Sequence, residues 1–171
     1  MIDQLEFIYR GGKTKRFHTA DTLTEQNVAE HSFGVAWICA VIYGEAVRKE
    51  LLLAALAHDL AEHRVGDVSS VVKTQHPDLR QKLELMETNH LVAHELDFAP
   101  DLSDEEKKVL KMADMMEGML FCIRERWLGS RASVGIYGRY RAYTLKLEPS
   151  GKAKMLIDQI HNVWETVNGG K

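Results

Sequence analysis

Two of the eight histidines fall where an apolar residue is expected. His31 stands among Val28, Val35, Ile38 and Ile42, whose steps of three and four put all five on one helix face. His58 and Asp59 follow directly on the apolar run Leu51 to Ala57. Asp114 lies within Val109-Leu110-Lys111-Met112-Ala113-Asp114-Met115-Met116. Burying an ionisable group costs free energy unless it is paired or holds a metal. Any one of these residues alone reads as a satisfied core residue. Four of them, spread over three mutually packing helices, read together as a ligand set. Two imidazoles and two carboxylates suit Zn²⁺, Mn²⁺, Co²⁺ or Fe²⁺. Four protein ligands on an ion that accepts six leave room for water and a substrate oxygen.

Helices must position these residues. One is expected through Val28, His31, Val35, Ile38 and Ile42, with Thr22 or Thr24 as its cap and Thr22-x-x-Glu25 as a capping box. Leu51, Ala55, His58 and Glu62 repeat the same steps on a second, ended by Gly66. An irregular stretch from Asp67 to Pro77 follows, then a helix from Asp78 to about Leu96. Ser103-Asp104-Glu105-Glu106 starts a helix to about Leu128. Two more are expected over Ser133 to Leu147 and Lys152 to Val167, and a short one over residues 2 to 9. Nothing alternates with period two, so the fold class expected is all-α. The 171 residues correspond to one domain, 1–171, at roughly 150 residues per domain. Its longest non-helical segment, Gly11 to Leu23, carries Lys13, Lys15, Arg16 and His18. Loops longer than about 12 residues in compact domains are often functional.

The order His31, His58-Asp59, Asp114 resembles the HD superfamily of metal-dependent phosphohydrolases, whose signature is H…HD…D. Asn27-Val28-Ala29-Glu30-His31-Ser32, His58-Asp59-Leu60-Ala61-Glu62 and Gly66-Asp67 are similar to the bacterial 5′-deoxynucleotidase branch in particular. Lys15-Arg16-Phe17-His18 resembles that branch too, and also the small phage dATP triphosphohydrolases within it. The likeness covers roughly residues 10 to 120 and implies a single HD-domain helical bundle. By the same resemblance His31, His58, Asp59 and Asp114 hold one divalent ion, with Zn²⁺, Co²⁺ or Mn²⁺ ahead of Mg²⁺. Glu62, four residues after His58 and so expected on the same helix face, orients or deprotonates the attacking water. Arg16 and Lys73 meet phosphate oxygens, and Asp67 meets the sugar. Phe17 stacks on the base and His18 lines the substrate. The chain departs from the pattern at Phe17, where the branch usually has Trp. It departs again at Ser69-Ser70-Val71-Val72, where the branch is Pro-rich.

The function implied is hydrolysis of a 2′-deoxynucleotide at its α-phosphate, from either a monophosphate or a triphosphate. An HD-type phosphodiesterase and a non-catalytic nucleotide-sensing module are the alternatives. Glu62, Arg16 and Lys73 would be superfluous in the second of these. The net charge of −3 excludes a broadly basic nucleic-acid binder. No window holds 18 uninterrupted apolar residues, so no membrane partner is expected. Cys39 and Cys122 stand alone in apolar stretches, as free thiols of a reducing cytoplasm do. Relatives of the branch form homo-oligomers, and the same is expected here. His90 and His94 form an i, i+4 pair without a third ligand, and His63 and His76 flank the expected site. The cluster Met112, Met115, Met116 and Met119 reads as gap-filling core.

Overall fold

Apolar faces repeating at helical spacing fold here into the expected all-α bundle. The computed structural model describes residues 1–66 and 68–169. Its helices are α1 (Ile2–Gly12), α2 (Val28–Tyr43), α3 (Lys49–Ala57), α4 (Glu62–Val65), α5 (Ser70–Gln75), α6 (Pro77–Ala93), α7 (Asp104–Leu128), α8 (Ala132–Lys146) and α9 (Gly151–Gly169). Among the described residues there is no strand. Lys15 and Asn27 form an isolated antiparallel bridge, which closes the base of the loop between α1 and α2.

The long helix α7 is the axis of the bundle and packs against α2, α3, α8 and α9. Ser103 and Glu106 cap its start reciprocally. Gly129 ends it at φ 108°, a left-handed conformation that glycine adopts without a Cβ clash. Met112, Met116 and Met119 are fully enclosed between α7 and its neighbours, as gap-filling core. The ring of Tyr137 lies flat on Trp164 at 3.8 Å and ties α8 to α9. A smaller cluster of Phe7, Val28, Ala57, Leu60, Ala61, Leu91 and Leu96 joins α1, the start of α2, the end of α3 and the end of α6.

The structure differs from the sequence reading in four places. The cap of α2 is Asn27, paired reciprocally with Glu30, while Thr24 is engaged elsewhere. The helix expected from Leu51 to Glu62 ends at Ala57, and residues 58–61 form tight turns before α4 begins. Glu62 therefore does not share a helix face with His58. The stretch expected to be irregular holds α5, started by Ser69, whose side chain accepts from the Val72 N–H. Finally, α1 continues to Gly12 because Gly11 and Gly12 are packing positions, not a loop.

Gly11 lies against the turn after α3. A Cβ there would sit 2.4 Å from the Leu60 carbonyl oxygen and 3.0 Å from its Cα. Backbone cannot move aside as a flexible side chain can. Gly11→Ala is expected to push α1 off the turn and destabilise the protein by about 1–3 kcal/mol, the usual cost of overpacking. Chemical denaturation of both proteins measures it.

Candidate active site

His58, still in helical conformation at the end of α3, and its neighbour Asp59 both face His31 of α2. Asp59 Oδ1 is 3.4 Å from His58 Nε2, and Asp59 Oδ2 is 3.6 Å from His31 Nε2. From α7, Asp114 Oδ1 comes within 3.2 Å of His31 Nε2. Ligand atoms of His31, His58 and Asp114 all lie within 4.8 Å of one another, and Asp59 stands beside this trio.

Each imidazole is fixed through its other nitrogen. His58 Nδ1 lies 2.8 Å from the Ala55 carbonyl, an acceptor, so in the neutral ring it is the donor. His31 Nδ1 is bonded to Glu117 Oε2. Both Nε2 atoms are buried and make no hydrogen bond. Two unsatisfied ring nitrogens turned toward two carboxylates are what a divalent ion requires, and the donor set fits one.

The charges around this cluster shift its titration. Burial opposes ionisation of Asp59, but His58, Arg16 and His31 hold its carboxyl below the usual range. Asp114 is buried as well, and Lys111 and His31 hold it well below that range. Burial lowers the pKa of His58. Burial and Arg16 oppose a charge on His31, yet the Asp114 and Glu117 carboxylates raise its pKa to about 9.

The loop between α1 and α2 brings Arg16 to the same spot. Its Nη1 is 2.6 Å from Asp59 Oδ2, and its Nε is buried without a hydrogen-bond partner. Phe17 has φ 56°, an unfavourable left-handed backbone for a bulky residue. Its ring lies flat on Phe121 of α7 at 4.6 Å, with Tyr140 edge-on at 6.3 Å. Glu125, fully buried on α7, accepts the Leu23 and Thr24 N–H groups and the Thr24 hydroxyl, at 2.6 to 2.8 Å.

Glu62 opens α4 and is 7% exposed, so it is not a solvated helix-end glutamate. Lys73 on α5 meets Glu87 of α6 at 3.7 Å. His18 is exposed on the loop. Asp67 lies outside the described residues. His63 and His94 pack against the Phe7 ring at 4.6 and 3.9 Å, and His94 Nδ1 bonds the His90 carbonyl. These histidines belong to the smaller core, and His76 lies between α5 and α6.

A family model of the YfbR-like 5′-deoxynucleotidases matches residues 1–159. The chain belongs to that family. It is an enzyme of that deoxynucleotide-dephosphorylating family. It is 30% identical over 129 residues to the dATP triphosphohydrolase of Cyanophage S-2L, covering 72% of this chain and 71% of that protein. The fold matches an HD-domain phosphohydrolase from Listeria innocua with a TM-score of 0.78 at 19% identity, over 96% of this chain and 89% of that one. It also matches the Cyanophage S-2L HD phosphohydrolase bound to dA and one catalytic Zn²⁺, with a TM-score of 0.67 at 22% identity, over 96% of both chains.

Within this YfbR-like enzyme the structure adds residues that the sequence reading passed over. Glu117 bonds His31, and Gln26 Nε2 donates to Glu117 Oε1 at 2.8 Å. Lys111 pairs with Asp114 at 2.7 Å, and Glu125 holds the loop. The signal was there: Asp114, Glu117, Phe121 and Glu125 step by three and four along α7. The surrounding methionines and charges concealed it.

One pH dependence follows. Without an ion His31 holds a proton near neutrality, while His58 is neutral and both aspartates are ionised. An ion held by these residues would have to displace that one proton. Affinity is therefore expected to fall about tenfold per pH unit as pH drops below about 9. Calorimetric titration with Zn²⁺ in buffers of different ionisation enthalpy should show close to one proton released per ion. Affinity flat between about pH 6.5 and 8.5 would contradict the raised pKa of His31.

Proposed function

We propose that this protein hydrolyses 2′-deoxynucleotides at the α-phosphorus, releasing the deoxynucleoside with phosphate from a monophosphate or with triphosphate from a dNTP. One observation carries the reading. A metal-fitting cluster and an arginine with an unused buried donor meet at Asp59. The former suits a phosphoryl oxygen and a water, the latter a phosphate.

His31, His58, Asp59 and Asp114 would hold the ion, and paired imidazoles favour Zn²⁺, Co²⁺ or Mn²⁺ over Mg²⁺. Such an ion, when bound, polarises the phosphoryl oxygen and lowers the pKa of a bound water toward 7. The cyanophage phosphohydrolase of similar fold, bound to dA and one catalytic Zn²⁺, supports both choices. Glu62, buried within the electrostatic reach of Arg16, takes the proton of the attacking water. Arg16 donates to phosphate oxygens through the groups that Asp59 leaves open. Lys73 adds a second positive charge from α5. Phe17 presents an aromatic face to the base, with its other face held by Phe121. His18 lines the entrance from the loop. A carboxylate at Asp67 accepts from the 3′-hydroxyl and leaves a 2′-hydroxyl poorly accommodated. The machinery works as one domain across the chain.

The deciding experiment presents dAMP, dATP, AMP and ATP with Zn²⁺, Co²⁺, Mn²⁺ or Mg²⁺ and resolves the products by anion exchange. Deoxynucleotides are expected to exceed ribonucleotides about 10²-fold in kcat/KM, the discrimination an unaccommodated hydroxyl gives. Glu62→Gln is expected to lower kcat about 10²–10⁴-fold and leave zinc affinity unchanged. Equal rates on dAMP and AMP, and on dATP and ATP, would reject the sugar-reading role.

We also propose a homo-oligomer in a reducing cytoplasm. Phe33, Trp37 and Val41 form an exposed apolar stripe on α2, each 58–63% accessible. Stripes of this kind mark interaction surfaces. Burial pushes the Cys39 and Cys122 thiols up to about 12, so neither is a reactive thiolate. Among the described residues no helix is long and apolar enough to cross a membrane. Trp37→Glu is expected to reduce the mass seen by light scattering. An unchanged mass would remove α2 from the interface.

A further inference from the structure

We propose that Glu117 is the positioning residue that presents His31 Nε2 as a metal-binding lone pair. The inference rests on the ligand assignment made under the proposed function. Glu117 follows Asp114 by three residues, so the ligand and its neighbour project from one side of α7. Both are buried. Glu117 Oε2 bonds His31 Nδ1, and a carboxylate can only accept. In the neutral ring Nδ1 is then the donor, and the lone pair falls on Nε2. That nitrogen is the one in the ligand trio, buried and without a hydrogen bond. A carboxylate behind an imidazole also raises its basicity as a ligand.

The carboxylate is itself held on two sides. Gln26 Nε2 donates to Oε1 at 2.8 Å. On the facing helix Gly34 leaves the space: a Cβ there would meet Glu117 Cγ at 2.7 Å. Gln26 also reaches the substrate loop, since its carbonyl accepts the Arg16 N–H at 2.9 Å. One residue thus anchors the carboxylate behind the ion and the backbone of the arginine in front of it. Glu117 touches neither substrate nor reacting atoms, so its effect must pass through His31.

A role confined to holding the fold would lower the metal-free melting temperature but leave zinc affinity unchanged in a variant that still folds, which separates the two roles. Histidine ¹⁵N shifts of the zinc-loaded wild-type protein are expected to show the proton of His31 on Nδ1. In competition with a chromogenic chelator, Glu117→Gln is expected to bind zinc about 10–100-fold more weakly than wild type, and Glu117→Ala more weakly still. Glu117→Gln keeps shape and an acceptor, and its metal-free melting curve is expected to show that the fold is retained. Wild-type zinc affinity in both variants, or a His31 Nδ1 without a proton in the zinc-loaded protein, overturns the proposal. His58→Ala is the control for the ligand assignment. Loss of zinc there with full binding in Glu117→Ala defeats the role of Glu117 alone. Full zinc binding in His58→Ala defeats the metal site and this inference with it.

Discussion

Helix α7 buries Asp114, Glu117 and Glu125 on the side it turns toward α2 and the preceding loop, and each buried carboxylate demands a partner. That demand organises the rest of the molecule. Asp114 takes Lys111 from its own helix and faces His31. Glu117 takes His31 and Gln26. Glu125 takes three donors from Leu23 and Thr24. Ordering a loop of this length carries a substantial entropic cost, which these contacts must offset. Here its far end is fixed on Glu125, its middle on Phe121 through the Phe17 ring, and Arg16 on Asp59. The same face that contributes Asp114 to the metal-fitting cluster therefore also sets the position of Arg16.

The second constraint is the break after Ala57. Ending the helix there places Glu62 at the start of a new short helix instead of one turn beyond His58 on the same face. The break must be held from outside, because four residues of turn carry little stability of their own. Phe7, Leu60 and Ala61 pack in the smaller core, and Gly11 brings α1 into contact with the Leu60 backbone. The histidines His63 and His94 serve this support by packing on Phe7. The sequence shows His94 as half of an i, i+4 histidine pair and His63 as a neighbour of the expected site, but an imidazole packed on a phenyl ring is spent on packing.

How much was legible beforehand depended on whether a residue's role was local or relational. Helical periodicity alone showed α2, α7, α8 and α9 to within a few residues. The metal-fitting residues showed as polar intrusions on apolar faces, because burial makes such residues expensive and hence conspicuous. The break after Ala57 was invisible, since Leu51, Ala55, His58 and Glu62 keep perfect helical spacing. Its cause lies in tertiary contacts that spacing does not encode. The cap of α2 was misplaced for a similar reason: Thr24 is a good capping residue, but the distant Glu125 claims it. Glu117 was hidden because a glutamate on a helix reads as solvated until the facing residue is known to be Gly34.

Phe17 gathers these threads. Its φ of 56° is a costly conformation for a residue with a Cβ. The cost is borne because the alternative backbone would separate Arg16 from Asp59 or Phe17 from Phe121. Stacking on Phe121 at 4.6 Å and the Arg16 bridge at 2.6 Å lie on adjacent residues pointing to different partners. A left-handed residue between them turns the chain so that both can be made. Glycine would relieve the strain but would remove the ring that anchors the loop to α7. An indole, usual at this position in the wider branch, would have to fit between Phe121 and Tyr140, the latter pressed against Gly118, where a Cβ would meet it at 2.6 Å. The smaller ring, the glycine and the tyrosine are thus one packing solution. It narrows the aromatic wall beside the arginine and leaves the geometry of the metal-fitting cluster to α2, α7 and the turn.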